Sequence, residues 1–261
     1  MKNAKVISVC SQKGGVSKTS TTIEIATILS QRNFDVLVID LDQQCSLSKN
    51  VGGDLSKNSI YDIFHAECSL EDAIQHLELF GFDLITSSES LSRVDREFVD
   101  LDDVFLLSDV CNLVKEKYDY IFVDNAPSRN ILLNMSYIAS DYVIIPTECD
   151  ESSLDGAVTT REDILKIVNG RRHDSHARIL GYVLNRSEQT IMCSIALDTL
   201  REQIAPNTPG QPFIYEIRKS VKVSEVKSLH SAVSIEYKNE KIANDYNGLV
   251  DVILESIKKG A

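Results

Sequence analysis

Nowhere in the chain does an apolar run approach the ~20 residues that span a bilayer, which excludes a membrane-crossing helix on pattern alone. The first apolar stretch, Val6-Ile7-Ser8-Val9-Cys10, is far too short for a secretory leader and reads as a strand, so a cytoplasmic location is expected. The six cysteines contain no CxxC pair, and the His173/His176 spacing has no acid or cysteine arrangement to complete it. Zinc and iron–sulfur sites are therefore not expected, and the thiols read as reduced and structural. There is no internal repeat, low-complexity tract or linker. The Pro/Gly cluster over 206–212 reads as a surface loop.

Positive charge is scarce in one part of the chain. Residues 1–155 hold 12 Lys+Arg against 26 Asp+Glu, a balance of −14, while residues 156–261 hold 15 against 13. The net charge of −12 thus sits in the first part, and an acidic body repels nucleic acid. Any contact with DNA must come from local basic clusters in the second part.

What the sequence does contain is a core. Apolar residues make up 43% and charged residues 25%, the balance of an ordinary globular chain, and 261 residues fit one large α/β domain over 1–261. Strand-like runs recur at Val6–Cys10, Val36–Asp40, Phe82–Thr86, Tyr120–Asp124, Tyr142–Pro146, Arg178–Leu184 and Phe213–Ile217. Most are continuously apolar, as in strands buried on both faces of a parallel sheet. Helical spacing fills the intervals, over Leu101–Lys117 and Ser152–Val168 among others. The fold class that follows is α/β: a doubly wound, mostly parallel sheet with helices on both faces. A last helix over 239–259 carries the stripe Ile242, Tyr246, Leu249, Val250, Ile253 and Ile257. Its other face holds Asp245, Asp251 and Glu255, unlike the basic face of a membrane-surface helix, so packing on the core is expected.

Between the first strand and the first helix lies Ser11-Gln12-Lys13-Gly14-Gly15-Val16-Ser17-Lys18-Thr19-Ser20. Small residues between a strand and a helix N-terminus let backbone N–H groups reach anionic oxygens, and the helix dipole adds positive potential. In such a loop Lys18 sits on the β- and γ-phosphates of a nucleotide and the Thr19 hydroxyl holds Mg²⁺. The strict pattern G-x-x-x-x-G-K-[ST] is not met, because Gln12 and Ser17 stand where its glycines belong. The addition is Lys13, five residues before Lys18. Two further strands end in acids: Val36–Asp40 runs into Leu41-Asp42-Gln43-Gln44, and Tyr120–Asp124 into Asn125-Ala126-Pro127-Ser128. Carboxylates at strand C-termini are where α/β folds place ligand contacts.

The run K-G-G-V-x-K-[TS] over Lys13–Thr19 resembles the deviant Walker A motif of the ParA/MinD ATPases, and more of the chain follows suit. Asp40–Gln44 is similar to the family's D-x-D-P-Q, with Gln43 for proline, and Asp124–Ser128 to its D-x-P-P-S, with Ala126 for proline. Ile144–Thr147 followed by Ser153-Leu154-Asp155-Gly156 resembles its P-T…S-L-x-G segment. Ile217–Val226, with Ile235-Glu236-Tyr237 and Asp245-Tyr246, is similar to the ParA C-terminal signature, and the resemblance spans about residues 5 to 257.

The resemblance implies ATP and Mg²⁺ as cofactors and ATP hydrolysis as the activity. Lys13, Gly14, Gly15, Val16, Ser17, Lys18, Thr19 and Ser20 would bind the phosphates, and Asn185 would read the adenine edge. Lys13 would cross a dimer interface to the partner's nucleotide. Asp42 would position or activate the attacking water, Asp40 would support the magnesium shell, and Asp124 would hold Mg²⁺ through water. Ser17, where the family has glycine, is expected to carry a left-handed backbone cost of about 1–2 kcal/mol. The implied partners are a second copy of the chain in an ATP-dependent homodimer, non-specific DNA over the nucleoid, and a ParB-like centromere-binding protein, with no membrane. Arg218, Lys219, Lys222 and Lys227, with Arg186 beside them, are the DNA-binding candidates. Arg171 and Arg172 are explained by the helix end they follow. A helix-turn-helix does not fit ahead of a phosphate loop that begins at residue 11, so operator-specific binding is not expected. Three other readings stay open: a MinD-like or cargo-positioning ATPase on a membrane or protein scaffold, a metabolic P-loop enzyme of the amidoligase kind, and a degenerate nucleotide-binding regulator.

Overall fold

The computed structural model describes residues 2–170 and 175–260. Eight strands form one sheet: β1 Lys5–Val9, β2 Val36–Asp40, β3 Ile74–Leu77, β4 Phe82–Ile85, β5 Tyr120–Asp124, β6 Tyr142–Thr147, β7 Arg178–Ser187 and β8 Phe213–Arg218. Their spatial order is β3-β4-β2-β5-β1-β6-β7-β8. All pairs are parallel except β3 with β4. The seven strands read from the sequence are all present. The eighth, β3, carries the sequence Ile-Gln-His-Leu, is only partly buried and hangs on the sheet edge. Its short run has no apolar continuity to give it away. It is held by a tight turn in which Gly81 takes φ 76°.

Six helices among the described residues run nine residues or more: α1 Lys18–Gln31, α2 Leu106–Val114, α3 Ile131–Ala139, α4 Glu151–Val168, α5 Ile191–Thr199 and α6 Lys241–Gly260. Alternate side chains of each central strand point to opposite faces, so two separate cores form. Ile7, Val9, Val36 and Val38 meet α1 and α6 on one face. Leu37, Ile39, Ile121 and Val123 meet α2 and α3 on the other, continued by Ile145, Ile179 and Leu184 under α4 and α5.

Helix α1 is buried nearly all round, from Lys18 to Leu29. Helix α6 packs on it through Ile242, Tyr246, Leu249, Val250, Ile253 and Ile257. The stripe read from the sequence is therefore consumed by the core. The helix expected over Leu101–Lys117 begins as a single tighter turn at Asp103–Phe105 before α2. Helix α4 starts at Glu151, one residue earlier than its apolar pattern suggests, because the Asp150 carboxylate accepts from Ser153 N at 3.0 Å. The 206–212 segment is a loop, and the Lys222–Ser228 and Val233–Glu236 segments are short helices. Arg171, Arg172 and His173 lie outside the described residues.

The six thiols do not stay separate. Cys149, in the β6–α4 loop, and Cys193, in the first turn of α5, are joined as a disulfide across 44 residues. Sequence spacing gave no sign of this, because the pairing depends on how two distant elements pack.

Candidate nucleotide and magnesium site

The loop from Ser11 to Ser17 leaves β1 and enters α1, with the phosphate-facing residues at the carboxyl edge of the sheet. Gly15 takes φ 84°, and Ser17, the N-cap of α1, takes φ 65° and ψ 25°. Serine therefore occupies the left-handed conformation that suits glycine, and its side chain makes no capping bond in return. Gln12, at the other non-glycine position, is pinned: its N–H donates to Thr160 Oγ1 at 3.2 Å, and Arg129 Nε donates to its Oε1 at 2.8 Å. A glycine would keep the first, which is a backbone bond, and lose the second.

Lys18 is buried, and its ammonium donates to the carbonyl of Lys13 at 3.0 Å, closing the loop on itself. Burial lowers its pKa, while the charge of Asp124 opposes that. Thr19 Oγ1 donates to Asp124 Oδ2 at 2.7 Å, and Thr22 Oγ1, one turn on, donates to Oδ1 at 3.2 Å. Asp124 and Asp40 are direct register partners at the ends of β5 and β2. Asp40 is fully buried and accepts from Ser48 N and Oγ at 2.9 and 2.7 Å and from Asp42 N at 3.0 Å. Burial first, and then the charge of Asp40, pushes the Asp124 carboxyl up to about 7. Burial likewise raises Asp40 to about 6.

Asp42 itself is only half-buried and folds back to accept from Gln44 N at 2.9 Å. It lines a cleft of ≈ 470 Å³ with Gly14, Gly15, Ser17, Lys18, Thr19 and Ser20. Most of the sequence-derived phosphate candidates and Asp42 thus converge there, while Asp40 and Asp124 are buried behind it at the strand ends. Val16 is buried at 1% exposure. Lys13 does not line that cleft. It lies against α4, where a Cβ on Gly156 would come within 3.0 Å of Lys13 Cβ, so the glycine of the S-L-D-G segment is a matter of clearance. Its charge favours the ionised forms of Glu148 and Asp150 beside it.

Asn185 falls where the β7–β8 register slips between Leu184 and Ser187. The irregularity turns its side chain inward, and its Nδ2 donates to Val16 O at 3.0 Å. Its Oδ1 is buried without a partner beside a second cleft of ≈ 280 Å³ that adjoins the first. Next to it, Arg186 takes φ 53° and pairs with Glu148 at 3.1 Å.

The residues fit the groups that the motif implies. Thr19, Asp124 and Asp40 offer hard oxygen donors, and two adjoining buried carboxyls with raised pKa values are what a divalent cation would relieve. Backbone amides of the loop, Lys18 and the unpartnered Asn185 Oδ1 fit a nucleotide. Among the described residues no three His, Cys, Asp or Glu side chains gather as a metal set.

The AAA_31 family model, described as an AAA domain, matches residues 4–175, about two thirds of the chain and all of the phosphate loop and both acidic strand ends. The chain belongs to this family of ParA/MinD-type P-loop ATPases. An uncharacterized protein of Methanocaldococcus jannaschii is 32% identical over 97% of this chain and 99% of its own length. The chromosome partitioning protein ParA of Caulobacter vibrioides is 29% identical over 88% of this chain and 86% of its own. Among solved structures, the ATP complex of a Cyanothece McdA variant superposes with a TM-score of 0.85 at 21% identity, covering 97% of each chain. Cobyrinic acid a,c-diamide synthase from Mycobacterium smegmatis, with bound ADP and magnesium, gives 0.80 at 21%, over 99% of this chain and 97% of that one. At these identities the structural likeness establishes the fold. It does not separate a switch from a ligase.

The family's C-terminal signature is placed less simply than its phosphate loop. Arg218 is bidentate to Asp245, at 2.6 and 2.7 Å. Lys219 pairs with Glu188 at 3.0 Å, and Lys222 pairs with Glu225 at 3.0 Å while lying 4.4 Å over the Tyr237 ring. Lys227 lines the phosphate cleft and the adjoining one, beside Arg186. Of the four cations read together in the sequence, Arg218, Lys219 and Lys227 therefore line the adjoining cleft, Lys227 reaches the first as well, and Lys222 lines neither.

Sequence reasoning passed over Glu24. It is buried on α1, where burial raises its pKa, and its carboxylate accepts from Val233 N and from Ser234 N, the latter at 3.0 Å. The phosphate-loop helix is thereby tied to the C-terminal signature. A lone acid inside an apolar helical run was the available signal.

Replacing Ser17 by glycine should raise the unfolding free energy by up to about 1 kcal/mol, the relieved strain less the added freedom of the unfolded chain. Urea unfolding measures this, and a loss of stability would mean the hydroxyl is needed. Because Asp40 and Asp124 titrate above their unfolded values, the native state binds more protons, and their contribution to stability falls as pH rises from about 4, where the unfolded carboxyls ionise, to about 7, and is level above that. In metal-free protein, Asp124→Asn should therefore gain on the wild type between about pH 4 and 7. An offset that does not change with pH would rule the coupling out.

Proposed function

We propose that the chain is a ParA-type partition ATPase, one P-loop domain over 1–261 that dimerises around Mg²⁺–ATP in the cytoplasm and hydrolyses it slowly. The observation that carries this is the separation of the two lysines. Lys18 closes over the phosphate cleft, whereas Lys13 stands outside it against Gly156. A cation outside its own cleft is free to reach a nucleotide in a facing subunit. There it supplies positive charge where negative charge builds in the transition state. Mg²⁺, when bound, neutralises phosphate charge. Thr19 and Asp124 hold it, Asp40 keeps Asp42 oriented through the Asp42 N–H, and Asp42 positions the attacking water.

In this reading the ATP dimer binds DNA without sequence preference, and a ParB-like partner stimulates hydrolysis to release it. Arg218, Lys219 and Lys222 are paired with carboxylates, but surface ion pairs are worth only about 0–1 kcal/mol, so DNA phosphates can compete for them. Doubling these cations in a dimer couples DNA affinity to ATP. A membrane-scaffold role finds less support: no helix among the described residues is long and apolar enough to cross a membrane, and the apolar stripe of α6 is already buried. The ligase reading draws on the shared fold with cobyrinic acid a,c-diamide synthase. It gives Lys13 no task.

Lys18→Ala should abolish nucleotide binding. Lys13→Ala should bind ATP but hydrolyse it more slowly by about 10³-fold or more. Asp42→Ala should accumulate as an ATP-bound dimer. Sizing chromatography with ADP and ATP, together with phosphate release, checks all three, and normal turnover by Lys13→Ala defeats the trans-lysine model. Arg218→Glu should weaken binding to non-specific duplex DNA several-fold and flatten its salt dependence while sparing the ATP dimer. Unchanged DNA affinity removes that surface from the account.

A further inference from the structure

Cys149 lies in the four-residue stretch between Thr147 at the end of β6 and Glu151 at the start of α4, and it is partly exposed. Its neighbours on both sides are committed. Glu148 pairs with Arg186, and Asp150 caps α4 through Ser153 N. Helix α4 is the wall against which Lys13 rests, at Gly156. Cys193 is buried in the first turn of α5, where its N–H donates to the N-cap Thr190 Oγ1 at 3.2 Å and Glu188 N–H is aimed at its Sγ at 3.4 Å. The two Cα atoms are 4.7 Å apart, within the range a disulfide accepts without backbone movement.

The remaining thiols are differently placed. Cys10, Cys45 and Cys111 are buried, and burial raises all three, Cys111 to about 12. Burial also raises the partly exposed Cys68, and nearby carboxylates add to it. Protonated thiols of this kind are poor nucleophiles. The pair differs in lying side by side, with one partly exposed member and one member at a helix N-terminus with an N–H donor on its sulfur. Disulfides inside cells are mostly transient and regulatory.

We propose that Cys149 and Cys193 form a reversible thiol–disulfide switch, oxidised by a low-molecular-weight disulfide, whose closed form restrains the α4 wall beside Lys13. The exposed Cys149 thiolate attacks one sulfur of the small disulfide, forming a mixed disulfide and releasing one thiolate. The Cys193 thiolate then attacks Cys149 Sγ and expels the second thiolate. One small disulfide is reduced to two thiols, two protein thiols become one disulfide, and both protein protons pass to the released thiolates. The oxidised form ties the start of α4 covalently to α5. The reduced form holds it by non-covalent contacts alone and lets it shift when Lys13 is delivered across the dimer. This last step rests on the trans-lysine reading above.

The test uses the full chain equilibrated with glutathione disulfide, acid-quenched, denatured and assayed for thiols. Of six cysteines, four should remain free, peptide mapping should find the 149–193 link, and dithiothreitol should restore all six. Cys193→Ser should form no such link and should carry glutathione on Cys149. The oxidised wild type should release phosphate at least several-fold more slowly than the reduced wild type, with no such difference in Cys193→Ser. Six persisting thiols, or a bond between other cysteines, overturns the switch. So does a 149–193 bond that forms while oxidised and reduced wild type turn over alike. If neither form hydrolyses ATP, the proposed ATPase function falls, while the thiol count still decides whether the pair exists.

Discussion

The nucleotide site is organised around an electrostatic conflict between Asp40 and Asp124. They sit as register partners on adjoining parallel strands, both shut away from water, and the charge of Asp40 adds to burial in raising the cost of ionising Asp124. Around the pair the chain has placed hydroxyls and amides, from Thr19, Thr22, Ser48 and Asp42, together with the buried Lys18. The sheet makes this possible, because β2, β5 and β1 are neighbours and all point their carboxyl ends the same way. A divalent cation with its phosphate ligands is the natural relief of that conflict.

A second constraint is steric. Lys13 and Lys18 are five residues apart in one loop, yet Lys18 lines the cleft and Lys13 does not. Gly156 lets α4 approach Lys13 closely, and Gln12, bonded to Thr160, fixes the loop to the same helix. The loop and the start of α4 are thus in direct contact. Glu148, Cys149 and Asp150 are all located there, facing Arg186, Cys193 and Ser153 respectively. Through Glu24, the middle of the phosphate-loop helix is tied to Val233 and Ser234, just before the last part of the C-terminal signature. The nucleotide site and the basic surface share one rigid element.

Much of this was legible in the residues. The parallel core strands announced themselves because both of their faces are buried, leaving unbroken apolar runs such as Val36–Asp40. The edge strand β3, half-solvated and four residues long, left no such trace. The phosphate loop was readable because its chemistry is local: strand, small residues, lysine, threonine, helix. The positive φ of Ser17 was foreseeable for the same reason, since one backbone conformation serves that position whatever residue fills it. Lys227 illustrates the opposite case. It was grouped with Arg218, Lys219 and Lys222 by proximity in the chain, but the Lys222–Ser228 helix turns it toward the phosphate cleft.

By itself, then, the sequence determined the alternation of strands and helices, the phosphate loop with its two lysines, and the three acids at strand ends. Each of these depends on interactions between residues close in the chain. Only the tertiary structure decided that Asp40 and Asp124 share a buried neighbourhood, that Asn185 braces the loop through Val16, that the basic residues are already paired, and that Cys149 meets Cys193. Apart from the local Lys222–Glu225 pair, those outcomes depend on strand order and helix packing, which join residues 27 to 169 positions apart and leave no local periodicity to read.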